Sequence, residues 1–395
     1  MKILFITQLC PYPPTSGSAI KSYNILKHLG LKHEVDLLTF IRSEGEIPLL
    51  SHLAQYCRHV DYCMIKRSKG LNLANAVKSL LASKSFIITR DSHPGMRAKV
   101  HDRLKDKPDL IYADHLQMFQ FVPYPSPCPV LLDDHNAEWR IIERFFSSSD
   151  TPLMQRLFAS LEWRKLRSYE LDSSGKADIV LTVTSQDRDV LVSNGVPPEK
   201  VVPLPVGVDT DHIRPVLLPK NSNRVLALGT MSWPPNADAI AYFVKSIYPL
   251  IKSKKPDARF TIVGANPPRE ISVLSERDMS IEVTGYVDNI RTAVEDTGVF
   301  VVPLRIGSGM RVKILDAMAL GLPVVTTSIG CEGISINPGE HVLVADTPEE
   351  FADSVIHLLR NYNERLRLGS AGRNLVESLY SWPSILHRLD QVLDV

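Results

Sequence analysis

Short apolar runs alternate with longer stretches of helical spacing along most of this chain. Lys2-Ile-Leu-Phe-Ile-Thr7 is continuous enough to predict a strand buried on both faces. A Pro- and Gly-bearing loop follows from Pro11 to Ser18. Apolar positions at Ile20, Tyr23, Ile25, Leu26 and Leu29 then predict a helix over Ala19–Leu29, stopping at Gly30. Val35–Phe40, Asp109–Ala113, Val130–Asp133 and Asp178–Thr182 continue the series of strands. Prolines at 203, 205, 215 and 219 mark a linker. Beyond it the pattern restarts, with strands at Arg224–Gly229, Arg259–Val263, Ile281–Thr284, Val299–Val302 and Pro323–Thr327. Helical stretches separate them, including Ala237–Leu250, Ile290–Glu295 and Arg311–Leu320. Strand–helix alternation on this scale predicts open, mostly parallel sheets with helices on both faces.

Two such series predict an α/β chain of two doubly wound, Rossmann-like domains facing a cleft. The expected boundaries are 1–205, 206–375 and a helical tail over 376–395, broken at Ser381-Trp382-Pro383. The N-terminal domain is one surface on which that tail can pack back.

Composition adds exclusions. Lys plus Arg number 45 and Asp plus Glu 44, a net charge of +1, which argues against a globally basic nucleic-acid binder. No apolar stretch approaches the roughly 20 residues that span a bilayer. Met1–Leu9 is too short for the apolar core of a signal peptide. Five scattered cysteines without a Cys-x-x-Cys pair speak against a disulfide framework or zinc site, and for the cytoplasm.

Charge is uneven, however. From Lys66 to Lys107 there are eleven basic and three acidic residues, a local +8 interleaved with apolar Leu71–Ala82. Such a surface suits peripheral contact with an anionic membrane, at the inner face, or an anionic acceptor. A solvated helical face is the alternative.

The densest chemistry lies in Gly307-Ser-Gly-Met-Arg-Val-Lys-Ile-Leu-Asp-Ala-Met-Ala319, between two predicted strands. Glycines at 307 and 309 let a backbone approach a ligand, and the following helix N-terminus favours anions. Arg311 and Lys313 oppose the helix dipole there, so their presence needs another reason. A diphosphate supplies one. Asp316, one turn on, can accept hydrogen bonds from ribose hydroxyls, or simply pair with Lys313.

This stretch resembles the C-terminal signature of retaining, nucleotide-sugar-dependent GT-B glycosyltransferases of family four. Pro13-Pro-Thr-Ser-Gly17, Val206-Gly-Val-Asp209, Gly264-Ala-Asn-Pro267 and Gly285-Tyr-Val287 fit the same family. Trp233-Pro-Pro-Asn236 and Glu332-Gly333 look like its bacterial surface- or exported-polysaccharide branch. The resemblance implies a nucleotide-diphosphate sugar as donor, a glycan or lipid-linked acceptor, no cofactor and no metal. It places Arg311 and Lys313 on the diphosphate, Asp316 on the ribose, the backbone of Tyr286 and Val287 at the base, and Gly307, Ser308 and Gly309 near the transferred sugar. Gly17 would let its loop close over the phosphates. His115, after the Asp109–Ala113 strand, matches the family's histidine near the donor sugar, where it can hydrogen-bond the sugar or assist proton movement.

Two departures stand out. Eight residues before Asp316, with seven between, the family has an acid and this chain has Ser308; the family's second acid, usually Glu, is Asp316 itself. Its Arg/Lys pair after the first C-domain strand is replaced by Thr230-Met-Ser-Trp-Pro-Pro235. These departures keep alternatives in view: a non-catalytic nucleotide-sugar-binding subunit, or a sugar-nucleotide epimerase or hydrolase on the same fold. A dehydrogenase is poorly supported, because no Gly-x-Gly-x-x-Gly follows the first strand. Asp133-Asp134-His135-Asn136-Ala-Glu138 forms a polar cluster at another strand end, with an acceptor-side or structural role. Its spacing lacks the pattern of one metal-binding helical face.

Overall fold

A computed structural model describes residues 1–81, 84–147, 153–287, 289–307 and 309–394. The chain divides into two units, Met1–Val206 and Gly207–Val395.

The first unit carries a seven-stranded sheet: β1 (Lys2–Thr7), β2 (Glu34–Ile41), β3 (His59–Met64), β4 (Leu110–Asp114), β5 (Val130–Asp134), β6 (Ile179–Thr182) and β7 (Val201–Pro203). Its order is β3-β2-β1-β4-β5-β6-β7, and every pairing is parallel. Continuous apolar runs such as Ile3–Ile6 and Val130–Leu132 are buried because helices cover both faces. Strand order reverses between β1 and β4, so a crevice opens at their carboxyl ends.

The second unit repeats the plan with β8 (Arg224–Leu228), β9 (Arg259–Val263), β10 (Ile281–Gly285), β11 (Thr297–Val302), β12 (Val324–Thr326) and β13 (Leu343–Val344). The order is β10-β9-β8-β11-β12-β13, again all parallel, with the reversal between β8 and β11. Apolar clusters cover both faces.

The structure adds strands that the apolar pattern does not announce. β3 is only partly buried, and β7 lies at the edge of the linker stretch. Pro203 is tolerated there because an edge strand needs no donor on its open side. The helix over Gly17–Lys32 runs straight through Gly30 rather than stopping there. A side chain at Gly30 would overlap the Tyr56 carbonyl, so this glycine serves close packing rather than termination.

The helix expected over Ala237–Leu250 is observed as Pro234–Tyr242, a π turn over Phe243–Ile247, and Tyr248–Lys254. In the tail the break falls at Ser381, whose side chain caps the Trp382–Leu393 helix by accepting from the Ser384 N–H. Val208 pairs with Ser381 in an isolated parallel bridge. The Trp382 ring packs so closely on Gly207 that a methyl there would lie 2.6 Å from it.

Candidate active site

In the second unit, polar side chains converge at the β8/β11 reversal. β8 ends at Gly229. The Val312–Ala319 helix begins after the loop leaving β11, with Arg311 at its N-cap position. Lys313 Nζ donates to Asn236 Oδ1 at 2.8 Å, and Asn236 Nδ2 donates to the Thr230 carbonyl at 2.9 Å. Space for that ammonium exists only because residue 229 is glycine: a Cβ there would lie 2.6 Å from Lys313 Nζ and 2.8 Å from Asn236 Nδ2. Gly264 in turn lies against the Gly229 carbonyl. Thus the Gly264 motif supports the site from behind.

Arg311 donates to the Gly309 carbonyl and folds under its own loop. A Cβ at Gly307 would meet the guanidinium at 2.6 Å. Gly307 and Gly309 have φ of 140° and 77°, in the region that favours glycine, so the loop's shape depends on them. Ser308 lies outside the described residues.

Burial and then the Arg311 charge bring Lys313 down to about 8. Burial pushes Asp316 up to about 7, and among the described residues its carboxylate has no hydrogen-bond or ion-pair partner. The alternative Lys313–Asp316 surface pair is therefore not formed. Two cations and a carboxylate without a side-chain partner among the described residues sit within two turns of one helix.

Tyr286 follows β10 and is 74% exposed, whereas Val287 packs on the apolar cluster. Gly285 turns the chain there with φ 73°.

In the first unit the strand ends form a second constellation. Thr7, Asp114 and Asp133 lie in register across β1, β4 and β5. Asp114 accepts from Thr7 Oγ1 at 2.5 Å and Ser22 Oγ at 2.7 Å, and its other oxygen lies 2.8 Å from His135 Nε2. Asp133 takes Lys21 Nζ at 2.5 Å and the Tyr112 hydroxyl at 2.7 Å. Lys21 and Ser22 belong to the first turns of the helix that starts at Gly17. So the loop glycine leads into a helix whose polar side chains plug the strand ends. Sequence reasoning passed over Lys21. The available signal was a lysine in a helix's first two turns, where the dipole disfavours it.

His115 is buried, with φ 78°, unusual for a residue with a side chain and typical of functional turns. Its ring stacks on His135, centroids 3.8 Å apart and 13° from parallel. Burial lowers His115, but Asp114, then Asp133 and Glu138, outweigh it and hold the imidazole above its usual value. His135 is pushed down, by burial and then by the His115 charge. The two stacked imidazoles are thereby shifted in opposite directions.

Asp114, His115 and His135 bring ligand atoms within 4.8 Å of one another. Imidazole lone pairs lie in the ring plane, however. Two parallel rings 3.8 Å apart cannot both aim at one ion about 2 Å away.

Residues 222–361 match the family described as Glycosyl transferases group 1. A protein of Klebsiella pneumoniae, "Uncharacterized 44.6 kDa protein in cps region", is 24% identical over 377 residues, covering 91% of each chain. A Mycobacterium tuberculosis GDP-mannose-dependent alpha-(1-6)-phosphatidylinositol monomannoside mannosyltransferase is 27% identical over 240 residues, 55% of this chain and 61% of that one. Among solved structures, Anabaena Alr3699/HepE in complex with UDP superposes with a TM-score of 0.67 at 14% identity, covering 100% of both chains. This last likeness concerns the fold. No described helix is long and apolar enough to cross a membrane.

Proposed function

We propose that this chain, a GT-B glycosyltransferase similar to family four, uses the second unit to bind a nucleotide-diphosphate sugar and transfers its sugar to a glycan or lipid-linked acceptor with retention. The observation that carries the reading is the Arg311–Lys313–Asp316 constellation at one helix start, with Lys313 fixed by Asn236. Arg311 and Lys313 would take the diphosphate, Asp316 the ribose hydroxyls, and the Tyr286–Val287 backbone the base. The Gly307–Gly309 loop would lie along the sugar.

In the reaction the bond from the anomeric carbon to the diphosphate oxygen breaks, and a bond to the acceptor oxygen forms. The acceptor's proton leaves with the departing diphosphate. Preorganised positive charge at that leaving group is the largest lever available to such a site. No metal is needed in this scheme, since two cationic side chains and the helix N-terminus face the developing charge. His115, beside Asp114 and stacked on His135, would contact the donor sugar. The relative in a cps region supports a place in bacterial surface or exported polysaccharide synthesis. The cytoplasm, with peripheral contact at an anionic membrane, belongs to the same reading.

The test is calorimetric titration of UDP, GDP and ADP into wild type and Arg311→Ala. Losing a charge-assisted phosphate contact should weaken binding at least about tenfold. Binding by none of the diphosphates overturns the donor assignment. Binding without donor turnover in the presence of lipid and glycan acceptors favours the non-catalytic subunit.

A further inference from the structure

Ion pairing sorts the basic stretch into two classes. Buried Asp91 takes Arg67 at 2.7 Å and Arg90 at 3.1 Å. Asp61 takes Arg103 at 2.5 Å and Lys99 at 3.2 Å, and Asp102 takes Lys105 at 2.8 Å. Arg97 bonds the Gln120 carbonyl. Much of the local +8 is therefore internal wiring. Lys66, Lys78 and Lys84 are exposed and have no carboxylate partner among the described residues. These three lie on and immediately around one helix, Lys69–Leu81.

Among that helix's described side chains, the buried ones are polar, Asn75 and Ser79. Ser79 Oγ reaches the Lys84 carbonyl at 3.1 Å and Glu162 at 3.4 Å, and Glu162 also holds the Ser85 hydroxyl and the Phe86 N–H. Its outward side is apolar: Leu71 is 45% and Val77 48% exposed, with exposed Ala74 between them. Positions 71, 74 and 78 form one stripe at helical spacing and 77 flanks it. Folding explains the reverse arrangement, with apolar residues inward. An apolar stripe turned outward among unpaired lysines matches the interface of a membrane, where acyl chains lie beneath anionic headgroups.

We propose that the outward face of the Lys69–Leu81 helix docks this chain on an anionic lipid surface. Leu71, Ala74 and Val77 enter the headgroup–acyl boundary while Lys66, Lys78 and Lys84 meet lipid phosphates. The proposal deepens the membrane part of the function above and is independent of the donor assignment. An apolar stripe this short holds only together with the charges, so attachment is reversible and falls with salt.

The full chain is sedimented with vesicles of phosphatidylcholine alone, and of phosphatidylcholine mixed with phosphatidylglycerol, at low and high salt. Wild type should bind only the anionic vesicles, and only at low salt. Lys78→Gln with Lys84→Gln should weaken binding about fivefold per lysine. Leu71→Ser with Val77→Ser leaves the charge unchanged and should weaken binding as well. All these positions are exposed, and unchanged thermal melting confirms that the variants fold. Failure of wild type to bind anionic vesicles at low salt overturns the proposal. So does full binding by the serine variant, which would assign the patch to charge alone, as for an acidic protein partner. Nucleotide titration of the same samples reads the donor site separately.

Discussion

Asn236 Oδ1 holds the Lys313 ammonium at 2.8 Å, while the other end of the same amide is fixed to the Thr230 carbonyl. The two anchors leave the amide one useful orientation and make a neutral side chain the positioner of a cation. Asn236→Ala should therefore weaken nucleoside diphosphate binding about three- to tenfold, roughly 1 kcal/mol, without unfolding the chain. Asn236→Asp should weaken it further, because its carboxylate repels the diphosphate. Calorimetry on both variants checks this, and wild-type affinity in each would remove Asn236 from the site.

Donor affinity should have a narrow optimum in pH. Binding in the proposed manner needs Asp316 ionised and Lys313 protonated. With Asp316 near 7 and Lys313 near 8, affinity rises through about pH 7 and falls through about pH 8. Asp316→Asn should abolish the acid limb and Lys313→Arg the alkaline one, measured as the pH profile of the dissociation constant.

Asp316 also costs stability. Its carboxyl is raised in the folded chain, so the native state keeps a proton that the unfolded state releases. Stability is then highest below the ordinary carboxylate range and declines as pH rises toward about 7. Asp316→Asn should raise Tm more at about pH 8 than at about pH 4, while weakening the nucleotide complex. Equal shifts at both pH values would contradict the buried, unpartnered carboxylate.

Two glycines should respond differently to the same methyl group. Gly229→Ala meets the movable ends of Lys313 and Asn236, so the chain should fold and bind nucleotide poorly. Gly264→Ala meets the Gly229 backbone carbonyl, which cannot step aside, so it should lower Tm outright. Thermal melts paired with calorimetry separate the two outcomes.

Lys21 and Asp133 form an ion pair with both side chains fully buried. Lys21→Ala leaves a buried carboxylate with the Tyr112 hydroxyl and, at 3.8 Å, the His135 ring, and should cost about 3–5 kcal/mol. Replacing both, as Lys21→Met with Asp133→Leu, should cost less. Urea unfolding, followed by the Trp139 and Trp163 fluorescence of the first unit, measures each.

The sequence by itself determined the two parallel sheets, because strands buried on both faces must be written as unbroken apolar runs, as in Ile3–Ile6 and Val299–Val302. It also located the Arg311–Lys313–Asp316 helix, since two cations at a helix start contradict the dipole and so stand out. Tertiary structure alone decided what those residues touch. Asn236 reaches Lys313 across 77 positions, Ser22 reaches Asp114 across 92, and Lys21 reaches Asp133 across 112. No local spacing encodes such pairings; they arise where parallel strands bring distant carboxyl ends into register. The same reason hid the outward stripe of the Lys69–Leu81 helix. Periodicity shows that a helix has two faces, but only the packing of Glu162 against Ser79 shows which one turns inward.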